Sequence, residues 1–221
     1  MTATVASPVA GTVPAARTRV TTSRLLAAGV VGGPLWVGSS LLQAFTRDGF
    51  DIRRHALSQL SLGDLGFLQV GTFLGAGALF VAAAVGARRA GAGTWLPRFL
   101  AAFGAGLLVA GAFPTDPGEE FPVGTPAGVP EQLSWHAQLH SVGFFLVMFG
   151  FAATAIAAAV WNARRGSRRW AAVCALAPVA AAVVFLAPVF GPLTVRMAAA
   201  GTLEFALVTA LCAKLVRETA R

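Results

Sequence analysis

Six continuous apolar stretches restrict the fold of this chain more than any other feature. They lie at about 24–45, 67–87, 96–113, 135–160, 170–190 and 195–216. Each can cross roughly 30 Å of hydrocarbon as an α-helix that rises about 1.5 Å per residue. Strands of a membrane barrel alternate between apolar and polar residues, and these stretches do not. The sequence therefore predicts an all-α fold, a bundle of six transmembrane helices.

The composition excludes two other classes of protein. With 56% hydrophobic and 12% charged residues in 221, the chain is too apolar for a soluble domain of its size. The net charge of +8 could indicate nucleic-acid binding, but the basic residues form short clusters between the apolar stretches, as at membrane surfaces. Abundant Ala, Gly and Arg without Tyr indicate a GC-rich bacterial genome. We expect a multi-pass protein of the bacterial cytoplasmic membrane that binds no nucleic acid.

The basic residues also predict the orientation of the bundle. Thirteen of the seventeen fall on one side of the six stretches, and four fall on the other side with seven of the nine acids. The positive-inside rule places the thirteen in the cytoplasm, and both termini with them. Residues 1–23 are then a disordered cytoplasmic tail, and residues 24–217 form the transmembrane domain.

The long connections at 46–66 and 114–134 lie on the predicted outer side, and long ordered loops often carry function. Arg53, Arg54 and Ser58 in the first loop are candidates for binding an anionic headgroup or a substrate carboxylate. The alternative is an interfacial helix whose arginines extend to water. Prolines in the second loop predict a structured lid over the bundle.

Three histidines and one acid suit a metal site on the same side. Ser134 is a plausible N-cap, which places His136 and His140 one turn apart on a helix, and an i, i+4 pair can share one ion such as Zn²⁺. Either Asp116 or His55 would complete the ligand set. The alternatives are an Asx turn at Asp116 and histidines that bond neighbouring helices.

Glu204 is the residue most indicative of a function, because an acid within a membrane is costly unless it faces a cavity or a partner. Counted from Arg196 it lies about 10 Å along the sixth helix, and His140 lies about 8 Å from Ser134 along the fourth. Gln69 belongs to the same half of the membrane. These residues predict an outward-opening polar pocket.

The sequence resembles a bacterial family known as domain of unknown function 998 (DUF998), whose members look like six-helix membrane proteins. The resemblance extends from about Leu25 to Leu215. It is carried by Arg54-His55-Ala56-Leu57-Ser58, Gly66-Phe67-Leu68-Gln69, Asp116-Pro117, Phe121-Pro122, and the His136 and His140 pair. It implies a fold and a set of marked positions, and no reaction.

Two kinds of function remain open from the sequence. The first is a metal-dependent hydrolase of lipid-like substrates, with Glu204 or Asp116 catalytic, His136, His140 and His55 binding zinc, and Arg53, Arg54, Ser58 and Gln69 binding substrate. The second is a protein that binds or transports a small molecule or lipid, or a membrane scaffold. The expected partners are membrane lipids, with a second copy or another membrane protein as further candidates.

Overall fold

The computed structural model describes residues 15–220, with side chains from residue 19 onward. Six α-helices account for most of them, and no strand forms within that range. The helices are α1 Ala15–Thr46, α2 Gly66–Arg89, α3 Trp95–Ala112, α4 Trp135–Arg164, α5 Arg168–Leu186 and α6 Leu193–Thr219. Two short 3-10 helices, Leu57–Ser61 and Pro188–Phe190, lie in connections. All six α-helices are long and apolar enough to cross a membrane, which confirms the predicted fold class.

Helix boundaries differ from the prediction at two places that matter. Residues 1–14 of the predicted tail at 1–23 lie outside the described residues. Residues 15–23 of that tail belong to α1. At the other end of the chain, α6 begins at Leu193, three residues before Arg196. Glu204 therefore lies about 16 Å along α6, closer to the middle of the membrane than the sequence predicted.

The helices form a ring in chain order. Each packs against the next, and α6 packs against α1 to close the ring. One end of the ring, here the loop end, carries the connections 47–65 and 113–134. The opposite end, here the basic end, carries the short connections and the arginine clusters. Of these helices α5 is the least covered, since only Cys174 and Ala181 are buried in it.

Three phenylalanines fill the middle of the ring, and we call them the aromatic floor. The Phe80 and Phe103 ring centroids are 5.0 Å apart, and Phe205 lies 5.8 Å and 5.3 Å from them. Trp36 stacks on Phe205 at 4.3 Å. Edge-to-face and offset pairs of this kind are favourable beyond the area that they bury. The floor separates the loop-end half of the ring from the basic end.

Glycines let α3 and α4 touch backbone to backbone. A Cβ atom on Gly143 would lie 2.6 Å from the Ala110 nitrogen, and one on Gly150 would lie 2.5 Å from the Phe103 nitrogen. A Cβ on Gly106 would meet the Val147 nitrogen at 2.7 Å. Real side chains do not tolerate such distances, so these positions require glycine. Small residues at membrane helix interfaces commonly serve this purpose.

The orientation of the ring in the membrane is a testable prediction. A reporter that is active only in the cytoplasm should be active when fused after Arg221. The reason is that thirteen basic residues lie on the side of the termini and four on the other side, and basic residues are retained in the cytoplasm. A matched reporter inserted at the exposed Gly128 in the loop end should behave in the opposite way. Periplasmic activity of the Arg221 fusion would contradict the orientation with both termini inside.

Candidate functional site

A cavity of about 730 Å³, including the space at its opening, lies between the aromatic floor and the loop end. All six helices contribute to its wall, and residues 56–58 of the first loop form its roof. Its apolar lining includes Trp36, Phe73, Leu107, Phe144, Val147, Met148, Phe185 and Met197. We call it the loop-end cavity.

His140 reaches this cavity from α4 in a fixed tautomer. Its Nδ1 lies 2.9 Å from the Ala110 carbonyl oxygen and 3.0 Å from the Phe113 carbonyl oxygen. These carbonyls lie at the C-terminal end of α3, where the last carbonyl groups of a helix have no N–H donor within the helix. Because both are acceptors, Nδ1 carries the hydrogen, and in the neutral ring Nε2 keeps its lone pair. His140 is only 7% exposed, so that lone pair is available to the cavity alone.

Glu204 lines the same cavity from α6. The residue is 2% exposed, and its carboxyl group makes no hydrogen bond or ion pair with any residue from 15 to 220. An unpartnered carboxyl group at this depth is costly. The structure thus places His140 and Glu204, two polar groups with unused bonding capacity, on the wall of one largely apolar cavity.

The rim of the cavity has an apolar part and a polar part. Phe144, Met148, Phe185 and Met197 are half-buried and belong to α4, α5 and α6. On the roof, Ser58 is half-buried as well, and it is the third predicted site residue that lines the cavity. The cavity therefore has apolar side chains at membrane depth and a hydroxyl near the loop end, an arrangement typical of a site for an amphiphilic molecule.

The two loops are joined by a set of contacts that we call the loop clasp. His55 Nδ1 accepts a hydrogen bond from the Asp51 N–H at 2.8 Å, and Nε2 donates to the Glu119 carbonyl oxygen at 2.7 Å. Arg54 pairs with the carboxylates of Glu120 at 2.9 Å and Glu119 at 3.6 Å. Gln59 donates to the Gly118 carbonyl oxygen. Both ring nitrogens of His55 are thus occupied, which leaves neither for a metal.

The charged side chains of the first loop also bond within the loops. Arg53 forms two hydrogen bonds with the Asp51 carboxylate, at 3.2 Å and 3.1 Å, and these hold the pKa of Asp51 below its ordinary value. The Glu120 carboxylate raises the pKa of Arg54. Neither arginine lines the loop-end cavity. The structure does not place Arg53 or Arg54 where they could hold a molecule bound there.

Asp116 and His136 lie away from the cavity too. The Asp116 carboxylate accepts from the Ser134 N–H at 2.7 Å and from its hydroxyl at 2.6 Å. The same hydroxyl accepts from the Ala137 N–H, so Asp116 fixes the N-cap of α4. His136 is exposed, with its ring 3.6 Å from that of Trp135. Asp116 therefore orients the helix that carries His140 and does not face the cavity.

Gln69 belongs to a buried polar cluster between α1 and α2. Its side-chain oxygen accepts from Gln43 at 2.8 Å, and its amide nitrogen donates to the Ser40 hydroxyl at 2.9 Å. The Ser39 and Thr72 hydroxyls are 2.7 Å apart beside it. Such hydrogen bonds join helices within membranes. Gln69 is fully buried there and absent from the cavity wall.

The predicted zinc site does not fit this arrangement. Structural and catalytic zinc takes at least three protein ligands. Within residues 15–220 no group of three or more His, Cys, Asp or Glu side chains lies close enough together to hold a metal ion. His140 and Glu204 are the two residues of these types on the cavity wall. His136 is exposed beside Trp135, and both ring nitrogens of His55 are hydrogen-bonded within the loops.

Sequence reasoning missed the aromatic and sulfur-containing part of the site. Trp36 stacks on the aromatic floor, and Phe73 meets the His140 ring edge to face at 6.0 Å. Met148 and Met197 line the cavity. Nothing in an apolar run distinguishes these side chains from those that face lipid. The membrane depth of Glu204 was the available signal for this part of the site. Its neighbours along α6, Gly201 and Phe205, lie on the same cavity wall.

A protein-family model described as "Protein of unknown function (DUF998)" matches residues 30–217, which is most of the chain. The chain belongs to the DUF998 family. The match covers the six membrane-spanning helices except the start of α1 and the end of α6. No curated protein and no solved structure matches the chain. Membership of DUF998 supplies no activity, so function has to be argued from the geometry.

One group of the residues that carry the resemblance to DUF998, residues 54–58, lies in the loop clasp and in the roof. Arg54 and His55 join the two loops, and Leu57 and Ser58 cover the cavity. Phe121 is 1% exposed and packs against His55 at 5.3 Å. Residues 126–133 of the predicted lid are exposed, so the roof is made by the first loop, and the second loop holds it in place.

Replacing His55 by alanine should lower the midpoint of thermal unfolding by about 5–10 °C. The change removes two hydrogen bonds and a ring buried between Phe50 and Phe121, a loss of about 2–3 kcal/mol. Fluorescence-detected size exclusion of heated, detergent-solubilised protein measures this midpoint. His136→Ala is the matched control and should change it by less than about 2 °C, because His136 is exposed. Equal effects of the two substitutions would contradict a structural role for His55.

Proposed function

We propose that this DUF998 protein binds a single-chain amphiphile in the loop-end cavity, through a polar group that donates hydrogen bonds. The observation that carries the proposal is that the Glu204 carboxyl group and His140 Nε2, which have no protein partner, both lie on the wall of one largely apolar cavity. A protein that binds such a molecule needs no metal and no reaction.

The chemistry of the two groups narrows the ligand class. A carboxylate accepts hydrogen bonds, and so does Nε2 of a neutral imidazole whose Nδ1 is protonated. A primary ammonium group supplies donors for both, whereas a hydroxyl group has one O–H and can donate to only one of them. A positively charged amine would also offset the cost of a buried carboxylate, whereas a fatty acid would place two negative charges together. We therefore favour a long-chain amine, with a long-chain alcohol as the weaker ligand.

The rest of the cavity suits the chain of such a ligand. Half-buried Phe144, Met148, Phe185 and Met197 offer apolar contact at membrane depth, and methionine adapts readily to chains of different shape. Ser58 on the roof adds one hydroxyl near the loop end. Passage through the ring is not part of the proposal, because the aromatic floor closes the cavity on the side of the basic end.

Hydrolysis by a bound metal has less support. His140 and Glu204 remain usable as a proton acceptor and an acid, but the residues that the structure describes supply no third zinc ligand on the cavity wall. Metal analysis of protein purified in mild detergent distinguishes the two functions. Zinc at one equivalent per chain that disappears in His140→Ala would contradict the binding proposal in its present form.

The test is photolabelling in lipid nanodiscs with a long-chain amine that carries a diazirine on its chain. We expect the label on peptides of α4 and α6, near Met148 and Met197. Gly201→Leu should reduce this labelling at least about fivefold, since a side chain at Gly201 would enter the cavity, where only the Trp36 ring lies within 4 Å. Gly38→Leu is the control, because Gly38 is exposed with nothing within 4 Å.

Two outcomes would reject the proposal. The first is equal labelling of the wild-type, Gly201→Leu and Gly38→Leu proteins. The second is labelling by a fatty acid of the same length with the same yield and at the same peptides, because a carboxylate ligand contradicts recognition by Glu204.

A further inference from the structure

A second concave surface lies on the outside of the ring, between α3 and α4 at the basic end, and we call it the α3–α4 groove. It encloses about 1000 Å³, including open space. Small residues, Gly93, Ala153 and Ala157, form part of its wall. Larger apolar side chains complete it, namely Trp95, Phe99, Phe149, Ile156 and Val160. The groove belongs to a different face and a different end from the loop-end cavity.

The groove is long, apolar and open to the surroundings. From Phe149 to Arg164 it follows α4 for about 22 Å, more than half of the roughly 30 Å hydrocarbon core. Trp95 stacks on Phe99 at 5.7 Å, and Phe99 meets Phe149 at 5.9 Å. Trp95 and Phe149 are 59% and 60% exposed. In a membrane these rings contact acyl chains, and Trp95 stands where the interface is expected.

Positive charge gathers where the groove reaches the basic end. Arg164 is the charged residue of its wall, and the Arg98 guanidinium lies 5.1 Å from the centre of the Trp95 ring. Within the described residues no carboxylate lies within salt-bridge distance of Arg164 or Arg98. Arg88 and Arg89 end α2 on the same side of the ring. An anion at the mouth of the groove would therefore meet unpaired arginines.

We propose that the α3–α4 groove binds one anionic phospholipid, with its phosphate at Arg164 and Arg98 and an acyl chain along Phe99, Phe149 and Ile156. Arginine donates hydrogen bonds to the phosphate oxygens of any phospholipid. Net charge selects the headgroup, because an anionic lipid lacks the cationic ammonium group that the arginines would repel in a zwitterionic lipid. The apolar length below the headgroup selects a ligand with a chain and excludes free phosphate as the natural occupant. This inference is independent of the function proposed for the loop-end cavity.

Native mass spectrometry of the delipidated protein tests the proposal by titration with two lipids of identical chains. Phosphatidylglycerol should bind at least about tenfold more tightly than phosphatidylcholine in the first binding event. Arg164→Gln should remove most of this preference. Arg169→Gln is the matched control, because it deletes the same charge at the exposed start of α5, away from the groove. Ala157→Phe should weaken both lipids, since the new ring would occupy the groove.

Four results would overturn the assignment. Equal affinity for the two lipids, or an equal loss in Arg164→Gln and Arg169→Gln, would mean that the groove does not recognise the headgroup. Competition by millimolar inorganic phosphate alone would mean that the chain contributes nothing. A dimer that persists regardless of lipid and dissociates in Ala157→Phe would assign the groove to a second copy of the chain. A thermal melt of each variant in detergent confirms that it is folded before titration.

Discussion

Replacing Gly143 by isoleucine should prevent the bundle from assembling, or leave it unfolding at least about 10 °C below the wild type. The Cβ atom alone would lie 2.6 Å from the Ala110 nitrogen and 2.8 Å from the Gly106 oxygen. Backbone atoms cannot move aside as a flexible side chain can, so α3 and α4 would have to separate. The cost reaches at least about 3 kcal/mol, the upper range for overpacking.

The measurement is the yield and the thermal midpoint of monodisperse protein on size exclusion. Gly71→Ile is the matched control, because Gly71 is also mid-helix and a Cβ atom added there would meet nothing within 4 Å. It should express and melt like the wild type. A normal melt of Gly143→Ile would mean that α3 and α4 do not touch through their backbones.

Replacing Glu204 by glutamine should weaken binding of the long-chain amine at least about tenfold. This prediction rests on the function proposed for the loop-end cavity. A hydrogen bond to a charged group contributes about 1.5–3 kcal/mol, against about 0.5–1.5 kcal/mol for a neutral one. Glutamine also leaves the buried ammonium group without its counter-charge, and each 1.4 kcal/mol is a factor of ten in affinity. Glutamine has nearly the same size as glutamate, so the bundle should fold. Because the substitution removes a costly buried acid, the thermal midpoint of the protein should be unchanged or higher.

Concentration-dependent photolabelling in nanodiscs measures this affinity. A long-chain alcohol with the same chain should lose no more than about threefold, because glutamine still offers an acceptor. Glu131→Gln, at an exposed position of the second loop, should bind both ligands normally. An amine that labels Glu204→Gln as strongly as the wild type would remove Glu204 from the binding site.

The fold was predictable because its strongest determinant is local. Each apolar stretch is long enough to cross the membrane by itself, and the six helices follow without knowledge of their neighbours. The free-energy cost of placing an acid within a membrane also distinguished Glu204 in the sequence. The structure places it on the wall of the same cavity as His140. Two pairs of glycines, each spaced four residues apart, look alike in the sequence and have different surroundings in the structure. Cβ atoms on Gly29 and Gly33 would clash with α6, whereas Gly71 and Gly75 are free of close contacts.

The remaining candidate residues were not predictable from spacing. His55 and Arg54 bond to residues more than sixty positions away in the chain, and loop pairing at that distance leaves no periodic signal. His136 and His140 share a helix face only approximately. The His140 ring faces the end of α3, while His136 lies at the exposed start of α4. The floor residues were hidden among sixteen phenylalanines of similar surroundings.

The aromatic floor determines with which compartment a bound molecule can exchange. A molecule in the loop-end cavity has packed rings beneath it, so it enters and leaves on the same side of the membrane. The occupancy of the proposed site would then follow the ligand concentration in one leaflet or one aqueous phase. On the function proposed for the loop-end cavity, the protein would respond at equilibrium, as a receptor or a buffer does, without consuming an ion gradient.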